Sequence, residues 1–285
     1  MKTKFYPFTN NFVFPLVMQD EDICRGVLEL ILPDEEIGEI RVVDTLWNEE
    51  DDLQIESEKA LKFDPYSHGV RFDVYVKTRE CWVEIEMQIR EEPCIGKRSR
   101  YYQANIDIDA LNQGVNYKNL RRSYVIFICT YDTFKLDEPV YIFENYDVKN
   151  RLYFGDEAYK IVLNTACSPE KVSEKLRPLY KYIQDRSVVE GDLIKKIDDR
   201  VRQYNTGDWR RKLMTYEQEL ENRYHDGMEE GKVIGRKEGE LVALHKLVTD
   251  GLLSAETAAE RSGMTVDEFE EQAKSSQNSD SQKSD

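Results

Sequence analysis

The sequence predicts an α/β chain: a mixed central sheet with helices beside it, followed by a helical C-terminal extension. Three observations lead there. Two apolar runs of period two, at 70–76 and 82–88, lie close enough to pair as an antiparallel hairpin. A helical stretch separates the second run from a dense apolar strand at 124–129, which makes a crossover unit available. Beyond Ser168 the pattern turns helical.

The first helix begins after residue 18, with Asp20 and Asp22 as cap or first-turn acids. Cys24, Val27, Leu28, Ile31 and Leu32 recur at helical spacing, and Pro33 stops the run. The acidic stretch Asn48 to Lys59 has no apolar period and reads as a loop or a poorly specified strand. From Gly69, Val70, Phe72, Val74 and Val76 share one strand face, and Arg71, Asp73 and Tyr75 the other. After a short polar connection, Trp82, Glu84, Glu86 and Gln88 share a face opposite Val83, Ile85 and Met87. A helix over 97–113, closed by Gly114, is expected to bury Tyr101, Ala104, Ile108 and Leu111. Tyr124 to Cys129 reads as a central strand covered on both faces, and 140–143 and 159–163 as weaker strands.

Helices follow over 170–184, 187–204 and 209–225. Gly227, Gly231, Gly235 and Gly239 then stand four apart among good helix formers, as a helix or a linker. As a helix, this ladder gives up roughly 4 kcal/mol of propensity, which close packing against another helix would offset. Two short helices close the pattern, at 252–263 and 265–273, with Thr265 and Glu268 at capping-box spacing and Gly263 ending the first. The expected division is a core over 1–168, a helical extension over 169–225, the laddered segment over 226–245, a helical pair over 246–274 and a disordered tail over 275–285.

Composition narrows the function classes. In 285 residues, 40% apolar and 34% charged side chains point to a soluble globular chain. No run approaches the roughly 18 to 20 apolar residues of a bilayer span, so no membrane role is expected. Pro7, Thr9, Asn10 and Asn11 interrupt any signal core, which makes a cytoplasmic location the expectation. Five cysteines without C-x-x-C spacing and three histidines offer neither a zinc cluster nor a disulfide framework. The net charge of −16 is uneven: −10 over 1–60, +2 over 61–130, −1 over 131–210 and −7 over 211–285. Such a chain is no general coat for nucleic acid, although 61–130 escapes the acidic trend.

Asp73 is the first residue with chemical interest. A solvent-facing strand surface would explain it alone, but Glu84 and Glu86 point one way from their strand and a hairpin brings them opposite it. Like charges gathered on a sheet face repel, and a hard divalent cation is one physical reason to place them there. Asp73 and Glu86 would hold the ion, with the Met87 carbonyl completing a protein edge, for phosphodiester hydrolysis. Glu29 on the first helix and Glu84 on the strand are the candidates for a third carboxylate. Trp82 on the same face favours a cleft over an open surface. Lys97, Arg98 and Arg100 begin the next helix, where they suit phosphate contact or an ordinary wet face. Lys118, Arg121 and Arg122 have the same two readings, and Tyr101 is expected in the core.

Gly69-Val-Arg-Phe-Asp73, then Val83-Glu-Ile-Glu86-Met-Gln88, Lys97-Arg-Ser-Arg-Tyr-Tyr-Gln103 and Gly114-x-x-Tyr117-x-x-Leu120 together resemble the PD-(D/E)XK nuclease family transposases, also called the Rpn family of recombination-promoting nucleases. Phe8-Thr-Asn-Asn-Phe-Val-Phe14 is similar to that family's N-terminus, and the resemblance spans roughly residues 5–245. It implies a restriction-endonuclease-like core and DNA cleavage dependent on Mg²⁺ or Mn²⁺, promoting recombination or transposition-like events. In that likeness Asp73 matches the motif aspartate, Glu86 its second acid and Gln88 the position of the lysine. Glutamine has no titratable amine, so it can orient a water or donate to a phosphate oxygen but cannot take a proton. Tyr102 and Gln103 would support the site from the helix, though adjacent residues cannot both aim at one spot. Two further readings stand beside the nuclease: a weak or inactive DNA-binding fold, and an oligomeric regulator. A homodimer would let two sites address two strands.

Overall fold

The sheet carries the site, and its middle strands follow from period-two burial. A computed structural model describes residues 4–37, 40–43, 73–110 and 116–271. Helices α1 (Val13–Met18) and α2 (Glu21–Ile31) lead into strand β1 (Ile40–Val43). Asp20 caps α2 by accepting from the Ile23 N–H at 3.3 Å, and all five apolar residues expected to face inward are buried. Strands β2 (Val74–Thr78) and β3 (Cys81–Gln88) form the expected antiparallel hairpin, with Val74 opposite Ile85 and Tyr75 opposite Glu84. The polar loop at 48–59, Val70 to Phe72, His68, Leu111, Gly114 and the tail at 275–285 lie outside the described residues.

Helix α3 (Ile95–Ala110) crosses over to β4 (Arg122–Cys129), which runs parallel to β3. Strand β5 (Val140–Phe143) precedes a small exposed hairpin of β6 (Tyr146–Asp147) and β7 (Leu152–Tyr153); β8 (Ala158–Asn164) then returns to the main sheet. The six strands stand in the order β1-β2-β3-β4-β8-β5, antiparallel at both edges and parallel in the middle. This is the mixed α/β core the pattern calls for, consistent with a PD-(D/E)XK nuclease fold.

One face of the sheet is roofed by α3. Tyr75, Val125, Phe127, Cys129 and Val162 pack there against Ile95, Tyr102 and Ile106. The buried stripe of α3 therefore differs from the expected one: Tyr101, Ala104 and Ile108 are exposed, while Ser99, Tyr102, Gln103 and Asn105 are buried. The apolar spacing misleads because the inward face of α3 meets a polar cluster as well as apolar side chains.

Helices α4 (Arg177–Gln184) and α5 (Asp192–Tyr204) complete the first part; a 3₁₀ turn at Pro169–Lys171 takes the place of the expected helix start. Helix α5 meets α2 closely: a Cβ on Gly26 would stand 2.8 Å from Leu193, and Arg200 pairs with Asp20 at 2.6 Å. The chain divides into two compact units at Arg210/Arg211.

Helix α6 (Gly207–Thr249) runs unbroken through the glycine ladder, so the segment is helix and not linker. At Gly227, Gly231, Gly235 and Gly239 an added Cβ would meet nothing within 4 Å, so the described residues supply no close helix partner. Helix α7 (Ala255–Ser262) ends at Gly263 with φ of 71°, as expected. The capping box forms: the Thr265 N–H donates to Glu268 at 2.9 Å, and the Glu268 N–H donates back at 3.4 Å. Ala258, Ala259 and Phe269 make a small core there, with His245 stacked on Phe269. Among the described residues no helix is long and apolar enough to cross a membrane.

Candidate active site

The site lies where β2 runs out against β3. Continuing the β2–β3 register by one residue places Asp73 opposite Glu86. Two side-chain bonds cross between the strands there. The Asp73 N–H donates to Glu86 Oε1 at 3.3 Å, and the Met87 N–H donates to Asp73 Oδ2 at 3.2 Å. Each carboxylate accepts an amide from the opposite strand, which fixes both against the backbone. The N–H and C=O of a strand residue point to the same side, so the Met87 carbonyl is directed to the flank that carries Asp73.

Glu84 and Glu86 sit beneath α3 on the face they share with Gln88. Glu84 is fully buried, and neither of its oxygens has a donor among the described residues. Its carboxyl lies against that of Glu86, and two carboxyl groups can share a hydrogen bond only when one carries a proton. Burial, then the Glu86 and Asp73 charges, push the Glu84 carboxyl well above the usual range. Burial and the Asp73 charge push Glu86 up to about 8, against the lowering effect of Arg98. An orphaned acid behind a strained pair is the environment a cation relieves.

Arg98 enters from the first turn of α3. Its Nη2 donates to Glu86 Oε2 at 2.5 Å and its Nη1 to Gln88 Oε1 at 3.1 Å. Gln88 Nε2 donates to the same Glu86 oxygen at 3.2 Å. One turn on, the Tyr102 hydroxyl accepts from Arg98 Nε and Nη2 at 3.0 and 2.8 Å. Burial acts to lower the Arg98 pKa, but Glu86 and Tyr102 raise it on balance, so the guanidinium stays charged.

The other sequence candidates divide by place. Tyr102 reaches the cluster; Gln103 turns to Ser123 Oγ at 2.6 Å and Asp107 Oδ1 at 3.2 Å. Lys97 and Arg100 are exposed on α3, before and after Arg98 in the chain. Glu29 is exposed on α2 and is not among the charges acting on Glu84 or Glu86, whereas Glu84 touches the pair. Arg122 is engaged with Glu35 at 2.6 Å, and Tyr124 donates to the same oxygen.

Sequence reasoning missed a second polar group under α3: Lys77 pairs with Asp109 at 2.6 Å and lies 4.2 Å over the Trp82 ring, while the Tyr75 hydroxyl donates to Asp109 at 3.2 Å. The signal was present, since 98, 102 and 109 fall on one helix face by spacings of four and seven. The apolar spacing of Tyr101, Ala104 and Ile108 on the same helix masks it.

Asp73, Glu86 and the Met87 carbonyl offer hard oxygen donors, and the buried Glu84 carboxyl stands behind them, its proton affinity raised by burial. Among the described residues no group of three His, Cys, Asp or Glu side chains is arranged to hold an ion alone. One or two carboxylates with substrate oxygens and water are what Mg²⁺ asks for, so the donor set fits.

Comparison with curated proteins and with solved structures gives no significant match. The family model described as PD-(D/E)XK nuclease family transposase matches residues 12–158, a span that runs from α1 through β2, β3, α3 and β4 to the start of β8 and so contains the whole carboxylate cluster. That match covers more than half of the 285 residues, and the chain belongs to the PD-(D/E)XK nuclease family transposases.

Proposed function

We propose that this protein is a divalent-metal-dependent DNA endonuclease that promotes recombination or transposition-like events. The observation that carries the reading is the interlocked Asp73–Glu86 pair, backed by the buried Glu84 and faced by Arg98. Mg²⁺ or Mn²⁺ held by Asp73, Glu86 and the Met87 carbonyl would supply charge neutralisation at the scissile phosphate and an acidified water.

The chain's own groups do the rest. Gln88 donates an amide hydrogen to a phosphate oxygen or orients the water; it takes no proton. Arg98, Lys97 and Arg100 hold flanking phosphates, and Tyr102 sets the angle of Arg98. Gln103 supports the helix through Ser123 and stands back from the reacting atoms. Glu84 is the third carboxylate, and Glu29 falls out of the site because it touches none of these groups. A cytoplasmic homodimer would present two such sites to a duplex.

Plasmid nicking tests the reading. Purified wild type should convert supercoiled DNA to nicked or linear forms with Mg²⁺ or Mn²⁺ and stop on chelation. Asp73→Asn, which keeps the acceptor for the Met87 N–H, should lose at least about a hundredfold in rate. Unchanged cleavage by that variant would remove Asp73 from the mechanism.

A second reading is favoured by Gln88 at the lysine position and by the Arg98 pairing that already neutralises Glu86: a nuclease fold that binds DNA with little or no turnover. Duplex binding without cleavage across several divalent ions would select it.

A further inference from the structure

Glu86 presents two oxygens, and donors meet both. Oε1 accepts the Asp73 N–H, whereas Oε2 accepts Arg98 Nη2 and Gln88 Nε2 together. An ion shared with Asp73 stands on the Oε1 side of Glu86, and the guanidinium on Oε2 then shares one carboxylate with it. Two cations on one carboxylate repel each other, and departure of one relieves that. The Glu86 side chain is 3% exposed and fixed by the strand; that of Arg98 is 30% exposed and reaches in from a helix start. Arg98 is the group able to move.

Tyr102 gives that movement a pivot. Its hydroxyl accepts from Nε as well as Nη2, so a guanidinium released from Glu86 keeps one bond while its outer nitrogens turn to solvent. Lys97 and Arg100 are exposed on the same helix.

We propose that Arg98 is a displaceable counter-cation: it neutralises the Glu86 carboxylate until a divalent ion does so, and the freed guanidinium then receives a DNA phosphate. This rests on the nuclease reading above. The two bindings are thereby coupled, and the coupling is reciprocal: phosphate that draws Arg98 outward tightens the ion, and the ion frees Arg98 for phosphate. Arg98 is a positioning residue for the metal and a contact for the substrate, which keeps an unliganded centre charge-balanced.

The test is Mn²⁺ binding to the full-length protein, read from the electron paramagnetic resonance of free Mn²⁺, with and without a short duplex. Circular dichroism and thermal melting confirm that each variant is folded. Arg98→Gln should bind Mn²⁺ at least about fivefold more tightly than wild type without DNA, the scale of one partly exposed charge pair. Arg98→Lys, which keeps the charge but not the forked geometry, should fall between them. The duplex should tighten Mn²⁺ on wild type by a larger factor than on Arg98→Gln, where only substrate oxygens on the ion contribute. Adding Asp73→Asn to Arg98→Gln should abolish the gain.

A merely structural Arg98 would lower the affinity when removed. Binding by Arg98→Gln equal to or weaker than wild type, with Asp73→Asn still abolishing it, would overturn the displacement and leave the nuclease reading intact. A duplex effect on wild type no larger than that on Arg98→Gln would overturn the phosphate half. Mn²⁺ binding that never depends on Asp73 would overturn the metal centre and this inference together.

Discussion

Asp73 and Glu86 are tied to one another through the backbone: the Asp73 N–H donates to the Glu86 carboxylate, while the N–H following Glu86 donates to the Asp73 carboxylate. Two negative side chains are thus held close at the end of a strand pair where side-chain rotation alone would let them separate. The fold bears this repulsion with the help of Arg98 on one side and raised proton affinity on the other.

That strain has a pH signature. Glu86, pushed up to about 8, and Glu84, raised further into the interior, bind protons in the folded state that the unfolded chain has released above its ordinary value near 4.5. Their contribution to stability is whole below that ordinary value and is lost as pH rises through the folded one. Wild type should therefore weaken between about pH 5 and pH 8. Glu84→Gln, a neutral match for the protonated acid, should melt close to wild type at the acid end and be more stable at the alkaline end by roughly 1–3 kcal/mol. Parallel melting curves across that range would contradict the shift.

In the proposed nuclease reading, Gln88 takes the place of the motif's proton-accepting lysine. Gln88→Ala removes a donor to Glu86 and an acceptor for Arg98, and the nicking rate should fall roughly tenfold to a hundredfold. Gln88→Lys should add a limb to the pH–rate profile that rises with pH, absent from wild type. Identical profiles for the two proteins would mean that this position takes no part in handling the water.

Lys97 and Arg100 are exposed and so separable from folding. The double variant to alanine should shift stability by no more than about 0.5 kcal/mol. Its duplex affinity should fall for every sequence tried, and the slope of log affinity against log salt should become shallower by about 0.9 for each phosphate no longer neutralised. An unchanged slope would place the phosphates elsewhere.

In α6 the four ladder glycines occupy helical backbone with open space at each missing Cβ. Replacing Gly231 and Gly235 by alanine should stabilise the helix by about 0.8–1.0 kcal/mol per site, seen as greater helicity and a higher melting midpoint of the C-terminal unit. A fall in helicity would mean that the glycines serve a close approach which alanine blocks.

The hairpin is legible in the sequence because strand periodicity reports burial directly: Val83 and Ile85 alternate with Glu84 and Glu86, and the register that follows sets Asp73 against Glu86. The roof is not legible in the same way. An apolar stripe through Tyr101, Ala104 and Ile108 has the spacing of a buried side, yet α3 turns Ser99, Tyr102 and Gln103 inward. A helix over a polar site buries hydrogen-bonding groups, so hydropathy points to its wrong side. For the same reason Arg98 reads as surface charge, although its partners lie on a strand ten and twelve residues earlier. Strands β6 and β7, two residues each, are too short for any period to mark. In α6 the helix formers between the glycines outweigh the propensity the glycines give up.

The most direct measurement is crystallographic: crystals of the full chain soaked in Mn²⁺, with anomalous scattering used to locate the ion. A peak coordinated by carboxylate oxygens of Asp73 and Glu86 and by the Met87 carbonyl, with Arg98 turned away from Glu86, is the result predicted. Mn²⁺ bound only elsewhere, or Arg98 still paired with Glu86 at saturating ion, would contradict it.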